Sequence, residues 1–159
     1  MTLRHGFAHW LALGLPAALL LGAYGAQYLG GLFPCEMCWW QRYPHFAAVA
    51  IAMAALVVAN PVYRNALVAL SALAIATSGL IAGFHAGVEY GWWEGLTQCT
   101  SSISGTGDDL LRSIMNAPLI RCDVAPWSLF GISLAGFNFL LSLGGAGLIL
   151  ALLWRKKIP

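Results

Sequence analysis

The chain has 159 residues, of which 60% are hydrophobic and 9% are charged, with a formal net charge of +2. Its mean hydropathy is +0.75. Soluble domains carry about 25% charged residues, so this composition excludes an ordinary soluble domain and indicates a protein held in lipid. We expect no nucleic-acid partner.

Four apolar stretches are long enough to cross a bilayer, which takes about 20 apolar residues in a helix. They cover residues 7–32, 39–59, 66–88 and 127–154. None shows the alternation of a barrel strand. The sequence therefore predicts an all-α fold, a four-helix transmembrane bundle that forms a single membrane domain over residues 1–159. Pro126 would suit the first turn of the fourth helix.

The first stretch has an alternative interpretation as a secretory signal. Arg4 precedes the apolar run, and Ala23 and Gly25, on either side of Tyr24, are small residues at the spacing of a cleavage site. The run is longer than the ~7–15 apolar residues of a signal and continues to Leu32, which favours a transmembrane helix.

Basic residues indicate the orientation of the bundle. Five of the eight fall at one end, and they are Arg4, Arg64, Arg155, Lys156 and Lys157. By the positive-inside rule this end and both termini should be cytoplasmic. All six acidic residues and all four cysteines fall at the opposite end. Disulfides persist in oxidising compartments such as the bacterial periplasm, so redox use of these cysteines on the non-cytoplasmic side is expected.

The connection over residues 89–126 is a long outer loop. Within it, Leu110, Leu111, Ile114 and Met115 recur at helical spacing after Asp108. This pattern predicts a short helix over 108–115 that lies on the membrane surface, with Asp108 as its N-cap. A plain amphipathic loop helix without a function is the alternative.

The sequence C-E-M-C places Cys35 and Cys38 where a short outer connection enters the second helix. Two thiols at this spacing can form a reactive disulfide, and a helix N-terminus stabilises a thiolate. The spacing also occurs in metal sites. A structural zinc ion takes four ligands, commonly from paired motifs, and Cys99 and Cys122 provide no second pair of this kind, so no metal is expected.

Arg42 follows the two cysteines at helical spacing, so the charge should lie beside Cys38 and favour a thiolate there. It must lie at the outer edge of the bilayer, where a guanidinium is costly without a partner or a task. Snorkelling toward lipid headgroups is the alternative. Pro44 leaves one backbone acceptor unpaired and could kink the helix here.

Cys99 and Cys122 form the second pair. A bridge between them could simply staple the outer loop, contributing ~3–4 kcal/mol. Beside a C-x-x-C at the same end, the pair is also typical of a shuttle that exchanges with a soluble partner. Disulfide formation then needs an electron acceptor, and a lipid-soluble quinone suits a protein in a bilayer.

Several segments resemble the bacterial disulfide bond formation protein B (DsbB) family. They are residues 34–44 (PCEMCWWQRYP), 84–89 (FHAGVE), 121–123 (RCD) and 126–133 (PWSLFGIS). The resemblance spans nearly the whole chain and implies a four-helix membrane bundle with both termini cytoplasmic.

The resemblance also implies an activity, that of a quinone-dependent protein-dithiol oxidoreductase. A reduced periplasmic thioredoxin-fold thiol oxidase (DsbA-like) would attack Cys99, Cys122 would then attack Cys35, and electrons would leave through Cys38 to ubiquinone or menaquinone. Arg42 occupies the position of the family's quinone-contacting arginine.

Two further residues are assigned to the quinone site, Trp39 in the same motif and His85 on the third helix. His85 could line that site or donate a proton to the quinone, or could be a satisfied interface histidine. Glu89 lies one turn later on the same face and could hydrogen-bond to it.

Three rival functions remain. His45 and His85 lie at similar depths and could together ligate haem. A vitamin K epoxide reductase-like enzyme also combines C-x-x-C with four helices and a quinone, but there the motif belongs near the last helix. A membrane scaffold with purely structural disulfides is the third.

Overall fold

The computed structural model describes residues 3–97, 106–115 and 120–154. Its helices and strands are α1 (Leu3–Tyr28), α2 (Glu36–Val57), α3 (Pro61–Glu89), α4 (Asp108–Met115), β1 (Ser128–Leu129), β2 (Ile132–Ser133) and α5 (Leu134–Trp154). The four long helices pack in the cyclic order α1, α2, α3, α5. This arrangement confirms the predicted all-α membrane bundle.

Among the described residues, three helices are long and apolar enough to cross a membrane, namely Gly6–Tyr28, Pro61–Glu89 and Leu134–Trp154. The other long helix, α2, has 22 residues, and its first half carries Gln41, Arg42 and His45. These polar side chains are buried against neighbouring helices, which is where polar groups of membrane helices lie.

Small side chains fill the half of the bundle away from the cysteines. Buried alanines from α1, α2, α3 and α5 pack with Val68, Ile75 and Ile149. Small residues let helix backbones approach closely in lipid, where burial of apolar surface gives little drive for association. Ser71 adds polar contacts between helices, because its hydroxyl donates to the carbonyls of Ala12 (3.3 Å) and Ala48 (3.0 Å).

The helix ends differ from the predicted stretches for local reasons. α1 ends at Tyr28 and is followed by Gly31, which adopts a left-handed φ of 68°. α1 is also continuous through residues 23–25 and packs against α2 and α5. α3 begins at Pro61, five residues before the predicted start, because Asn60 caps it by accepting from the amide of Val62 at 2.9 Å.

The expectation that Pro126 opens the last helix is wrong. Residues 128–133 form a hairpin instead, with Phe130 and Gly131 at positive φ (53° and 77°) in its turn. The side chain of Tyr90 holds this hairpin, since its hydroxyl donates to the Gly131 carbonyl (3.1 Å) and accepts from the Ser133 amide (3.0 Å). The last helix therefore begins only at Leu134.

The short loop helix α4 covers the predicted residues 108–115, and Leu111 and Met115 are exposed on it. Asp108 is its first helical residue and not its N-cap. The preceding Gly107, at a positive φ of 61°, supplies the carbonyl that accepts from the Leu111 amide at 3.2 Å.

Candidate functional site

The C-x-x-C motif lies where the chain enters α2. Cys35 is the N-cap of this helix, and its sulfur accepts from the amide of Cys38 at 3.2 Å. The two Sγ atoms are 2.8 Å apart. This cap places both sulfurs at the positive end of the α2 dipole, a position that favours thiolate chemistry.

Cys122 lies beside this motif. It is fully buried and packs in one cluster with Cys35, Met37 and Val88. Its sulfur accepts a hydrogen bond from the hydroxyl of Thr97 at 3.3 Å. The fold therefore brings three of the four predicted cysteines together, while Cys99 lies outside the described residues.

Residues next to Cys122 form an ion pair. Arg121 donates through Nε to Oδ1 of Asp123 at 2.8 Å and pairs with Oδ2 through a second nitrogen. This guanidinium holds the pKa of the Asp123 carboxyl below its usual range. The ion pair therefore persists at every pH above the range in which carboxyl groups usually titrate. It is lost only when the pH falls through the lowered pKa of Asp123.

His85 is 2% exposed and connects the two sulfur-bearing segments. Its Nε2 lies 3.6 Å from Sγ of Cys35 and 3.2 Å from the carbonyl oxygen of Cys122. The predicted hydrogen bond with Glu89 is not made, since the nearest atoms, Nε2 and Oε1, are 3.8 Å apart. The contact with Cys122 replaces it.

Gln41 fixes the tautomer of His85. The amide nitrogen of Gln41 donates to the Met37 carbonyl (3.2 Å) and lies 2.7 Å from Nδ1 of His85. A carbonyl only accepts, so the Gln41 nitrogen faces His85, and Nδ1 must be an acceptor. The ring proton is therefore on Nε2, which faces Cys35 and the Cys122 carbonyl.

Arg42 is 6% exposed, so the snorkelling alternative is wrong. Its guanidinium donates to Oε1 of Gln27 (2.7 Å) and to the Ala23 carbonyl (3.3 Å) on α1. Aromatic rings flank it, with Cζ 4.8 Å from the centroid of Tyr24 and 4.9 Å from that of Trp39. The described residues place no carboxylate in an ion pair with Arg42, so its charge is held by neutral partners and ring faces.

A cavity of about 270 Å³ lies between α1, α2, α3 and α5. Its wall is mostly apolar, and its polar lining residues are Cys38, Gln41, Arg42, His45, His85, Glu89 and Asn138. Trp39 is not among the residues that line it in the described part of the chain, and it meets the site through Arg42. An apolar cleft with a few convergent polar groups is typical of a small-molecule site.

Two site residues, Gln41 and Asn138, were not predicted from the sequence. Asn138 donates to Oε1 of Gln41 (2.9 Å), and its own Oδ1 lies 3.0 Å from Nε2 of His45. Polar residues on apolar helices are the signal that could have found both. The haem alternative gains no support, because the Nε2 atoms of His45 and His85 both face protein partners.

The ligand atoms of Cys35, Cys38 and His85 lie within 4.8 Å of one another, close enough to contact one soft metal ion. A structural zinc site has four protein ligands. The expectation that the site binds no metal stays a prediction.

The bundle and its buried sulfurs define a class, the helical membrane proteins that carry a thiol–disulfide centre at one end of the bundle. Residues 5–152 match the family described as disulfide bond formation protein DsbB. The chain belongs to this family of disulfide-bond-forming membrane proteins.

Two relatives support the assignment, and a third similar protein is uncharacterised. The disulfide bond formation protein B of Verminephrobacter eiseniae is 32% identical over 156 residues, covering 91% of this chain and 83% of the relative. That of Polaromonas sp. is 30% identical over 141 residues, covering 82% and 79%. An uncharacterised protein of Rickettsia prowazekii is 26% identical over 125 residues, covering 76% and 72%. No solved structure matches the chain significantly.

Proposed function

We propose that this protein reoxidises a periplasmic thioredoxin-fold thiol oxidase of the DsbA type and passes the electrons through two cysteine pairs to ubiquinone or menaquinone. It would do so in the bacterial inner membrane, with both termini cytoplasmic and the cysteines periplasmic. The observation that carries the proposal is that Cys38 and the buried Arg42 line one cavity inside the bundle.

The cavity suits a quinone head group on chemical grounds. Its walls are mostly apolar, as an aromatic ring requires, and Arg42 offers a positive charge to an oxygen that becomes negative during reduction. Arg42 and Cys38 would contact the quinone, and Trp39 would act by flanking the guanidinium. A bound quinone would supply an acceptor for two electrons and two protons.

Thiol exchange would bring electrons to Cys38 in two displacements. The partner's thiolate attacks Cys99, breaks the Cys99–Cys122 disulfide and releases the Cys122 thiolate. Cys122 then attacks Cys35, breaks the Cys35–Cys38 disulfide and leaves the negative charge on Cys38. The partner's second thiolate would break the mixed disulfide with Cys99, so that the partner leaves as a disulfide. The freed Cys99 would attack Cys122 and release Cys35, and Cys35 and Cys38 would rejoin as a disulfide when the acceptor takes two electrons. The packing of Cys122 and Cys35 in one buried cluster supports the second displacement.

His85 would assist as a hydrogen-bond donor. Its Nε2–H lies near both Cys35 and the Cys122 carbonyl, so it can support negative charge on Cys35 whenever that sulfur leaves a disulfide. This differs from a histidine that passes a proton to the quinone, since both of its ring nitrogens already face protein atoms.

Anaerobic turnover with a reduced DsbA-type protein and a soluble quinone tests the function. We expect one quinol for each partner disulfide formed, and no turnover in Cys99→Ala or Cys38→Ala. Partner oxidation that continues unchanged in Cys38→Ala would refute the function and favour the scaffold alternative.

A further inference from the structure

His45 lines the cavity with a buried side chain, and one of its ring nitrogens is unused. It is 3% exposed and lines the cavity from α2. Within residues 3–97, 106–115 and 120–154, its Nδ1 has no hydrogen-bond partner. A buried polar atom without a partner costs about 1–3 kcal/mol of stability. A ligand in the cavity that hydrogen-bonds to this atom would therefore gain binding free energy of similar size.

The neighbours of His45 fix which kind of partner it needs. The Gln41 nitrogen faces the Met37 carbonyl, so Oε1 of Gln41 faces Asn138 and accepts from Nδ2 of that side chain. Asn138 must then present its oxygen to His45. Nε2 of His45 therefore carries the proton, and Nδ1 of the neutral ring is a lone-pair acceptor.

Glu89 provides the other unpartnered buried atom on this wall, Oε2. No other residue that lines the cavity has such an atom in the described part of the chain. Two lining residues, one on α2 and one on α3, thus carry a buried polar atom without a partner. For His45, the hydrogen bonds that run through Gln41 and Asn138 determine that Nδ1 is an acceptor.

We propose that Nδ1 of His45 accepts a hydrogen bond from a hydroxyl of the quinol, so that the cavity binds the reduced form more tightly than the oxidised form. A quinone has only carbonyl acceptors and cannot pair with this atom, whereas a quinol carries two O–H donors. This inference rests on the proposed function, because it assumes that the cavity binds the quinone.

Preferential binding of quinol has a thermodynamic consequence. A site that holds the product of a reduction more tightly than the substrate raises the reduction potential of the bound pair. His45 would therefore make the bound quinone a stronger oxidant of Cys35 and Cys38. It is a binding residue that biases the equilibrium, and it exchanges no electrons with the sulfurs.

The experiment compares the affinities of decyl-ubiquinone and its quinol for the detergent-solubilised, fully oxidised protein under argon, followed by tryptophan fluorescence. The oxidised protein has no thiols to reduce the quinone, so the readout is binding alone. We expect the wild type to bind the quinol about three- to tenfold more tightly, as expected for one hydrogen bond.

The variant His45→Phe keeps a ring but removes the acceptor. The Oδ1 atom of Asn138 still accepts a hydrogen bond in this variant, since the hydroxyl of Ser142 donates to it at 2.8 Å. We expect quinol affinity to fall about three- to tenfold while quinone affinity changes less than twofold. The matched control, Ser71→Ala, removes a buried hydroxyl away from the cavity and should change neither affinity.

Three results would overturn the inference. The first is a wild-type protein that binds quinone at least as tightly as quinol, a result that overturns the inference without any variant. The second is an equal loss of both affinities in His45→Phe, which would indicate an effect of side-chain shape. The third is a selective loss of quinone affinity in that variant, which would indicate that His45 is a donor. A wild type that binds neither form would instead contradict the proposed function.

Discussion

Nε2 of His85 lies 3.6 Å from Sγ of Cys35, although the two residues are 50 positions apart. Because the side-chain amide of Gln41 donates to Nδ1 of His85, the ring proton lies on Nε2, the nitrogen that faces the sulfur. The site therefore presents a donor to Cys35, and the orientation of this donor depends on a glutamine one turn into α2.

Gln41→Leu should destabilise the protein. The change leaves Nδ1 of His85 buried without its donor and removes the acceptor of Asn138, so we expect a loss of about 2–3 kcal/mol in the free energy of unfolding. Reversible unfolding in mixed detergent micelles measures this loss. The control is Thr77→Val, which removes an exposed hydroxyl bonded within its own helix and should cost under about 0.5 kcal/mol. Equal stabilities of the two variants would contradict the hydrogen-bond network.

Arg42→Lys should weaken quinone use while leaving the protein partner unaffected. Lysine keeps the charge but loses the planar fork that reaches Gln27 and Ala23 and lies against two rings. We expect the apparent KM for quinone to rise about tenfold and that for the partner to change less than twofold, in steady-state assays that vary each substrate. Arg112→Lys on the exposed loop helix is the matched control. A larger shift in the partner's KM would assign Arg42 to the protein interface.

Gly87→Ala should disturb the start of the outer loop. A Cβ at this position would overlap the ring of Trp93, whose indole donates to the Phe84 carbonyl at 2.9 Å. Overpacking of this kind costs about 1–3 kcal/mol, which should appear as a lower thermal midpoint and altered tryptophan fluorescence. At Gly144, by contrast, a Cβ meets nothing within 4 Å. Gly144→Ala should therefore leave both measurements unchanged, and a similar loss in both variants would refute the close packing of Trp93.

Removal of metal ions should leave turnover unchanged. Cys35 and Cys38 react as a redox pair in this account, so a chelator such as EDTA takes nothing from the site. Metal analysis of the purified protein should find less than about 0.1 equivalent of zinc, against one equivalent for a structural site. Inactivation by EDTA that is reversed by added zinc would mean that the three ligand atoms of the site hold a metal.

The helical bundle could be predicted from hydropathy alone, because lipid imposes long apolar helices and few alternatives exist. Helix ends depend on local chemistry that hydropathy does not register. Asn60 and Pro61 extend α3 backward, and the hairpin before Leu134 shortens α5. Asn60 is a standard cap signal, whereas the hairpin depends on a tertiary contact with Tyr90 that no local pattern reveals.

Motif spacing predicted the three described cysteines and Arg42 as site residues, and the fold brings them to one end of the bundle. The connections among Gln41, Asn138 and His45 could not be predicted, since they join α2 to α5 across 93 to 97 positions. Polar residues on apolar helices indicate a functional role inside the bundle, but they do not identify the residues that they contact. The hydrogen bond suggested between His85 and Glu89 is only a 3.8 Å contact. Helical spacing does not account for the Cys122 carbonyl, which arrives from the loop and lies closer to Nε2 of His85.

The most direct test follows quinone reduction by the pre-reduced protein alone, in a single anaerobic turnover without any thiol partner. If Cys35 and Cys38 deliver electrons to the acceptor, the Cys99→Ala/Cys122→Ala protein should form one quinol per chain. The Cys35→Ala/Cys38→Ala protein should form none, although it also carries two thiols. Quinol formation by the second variant at the rate of the first would contradict the account.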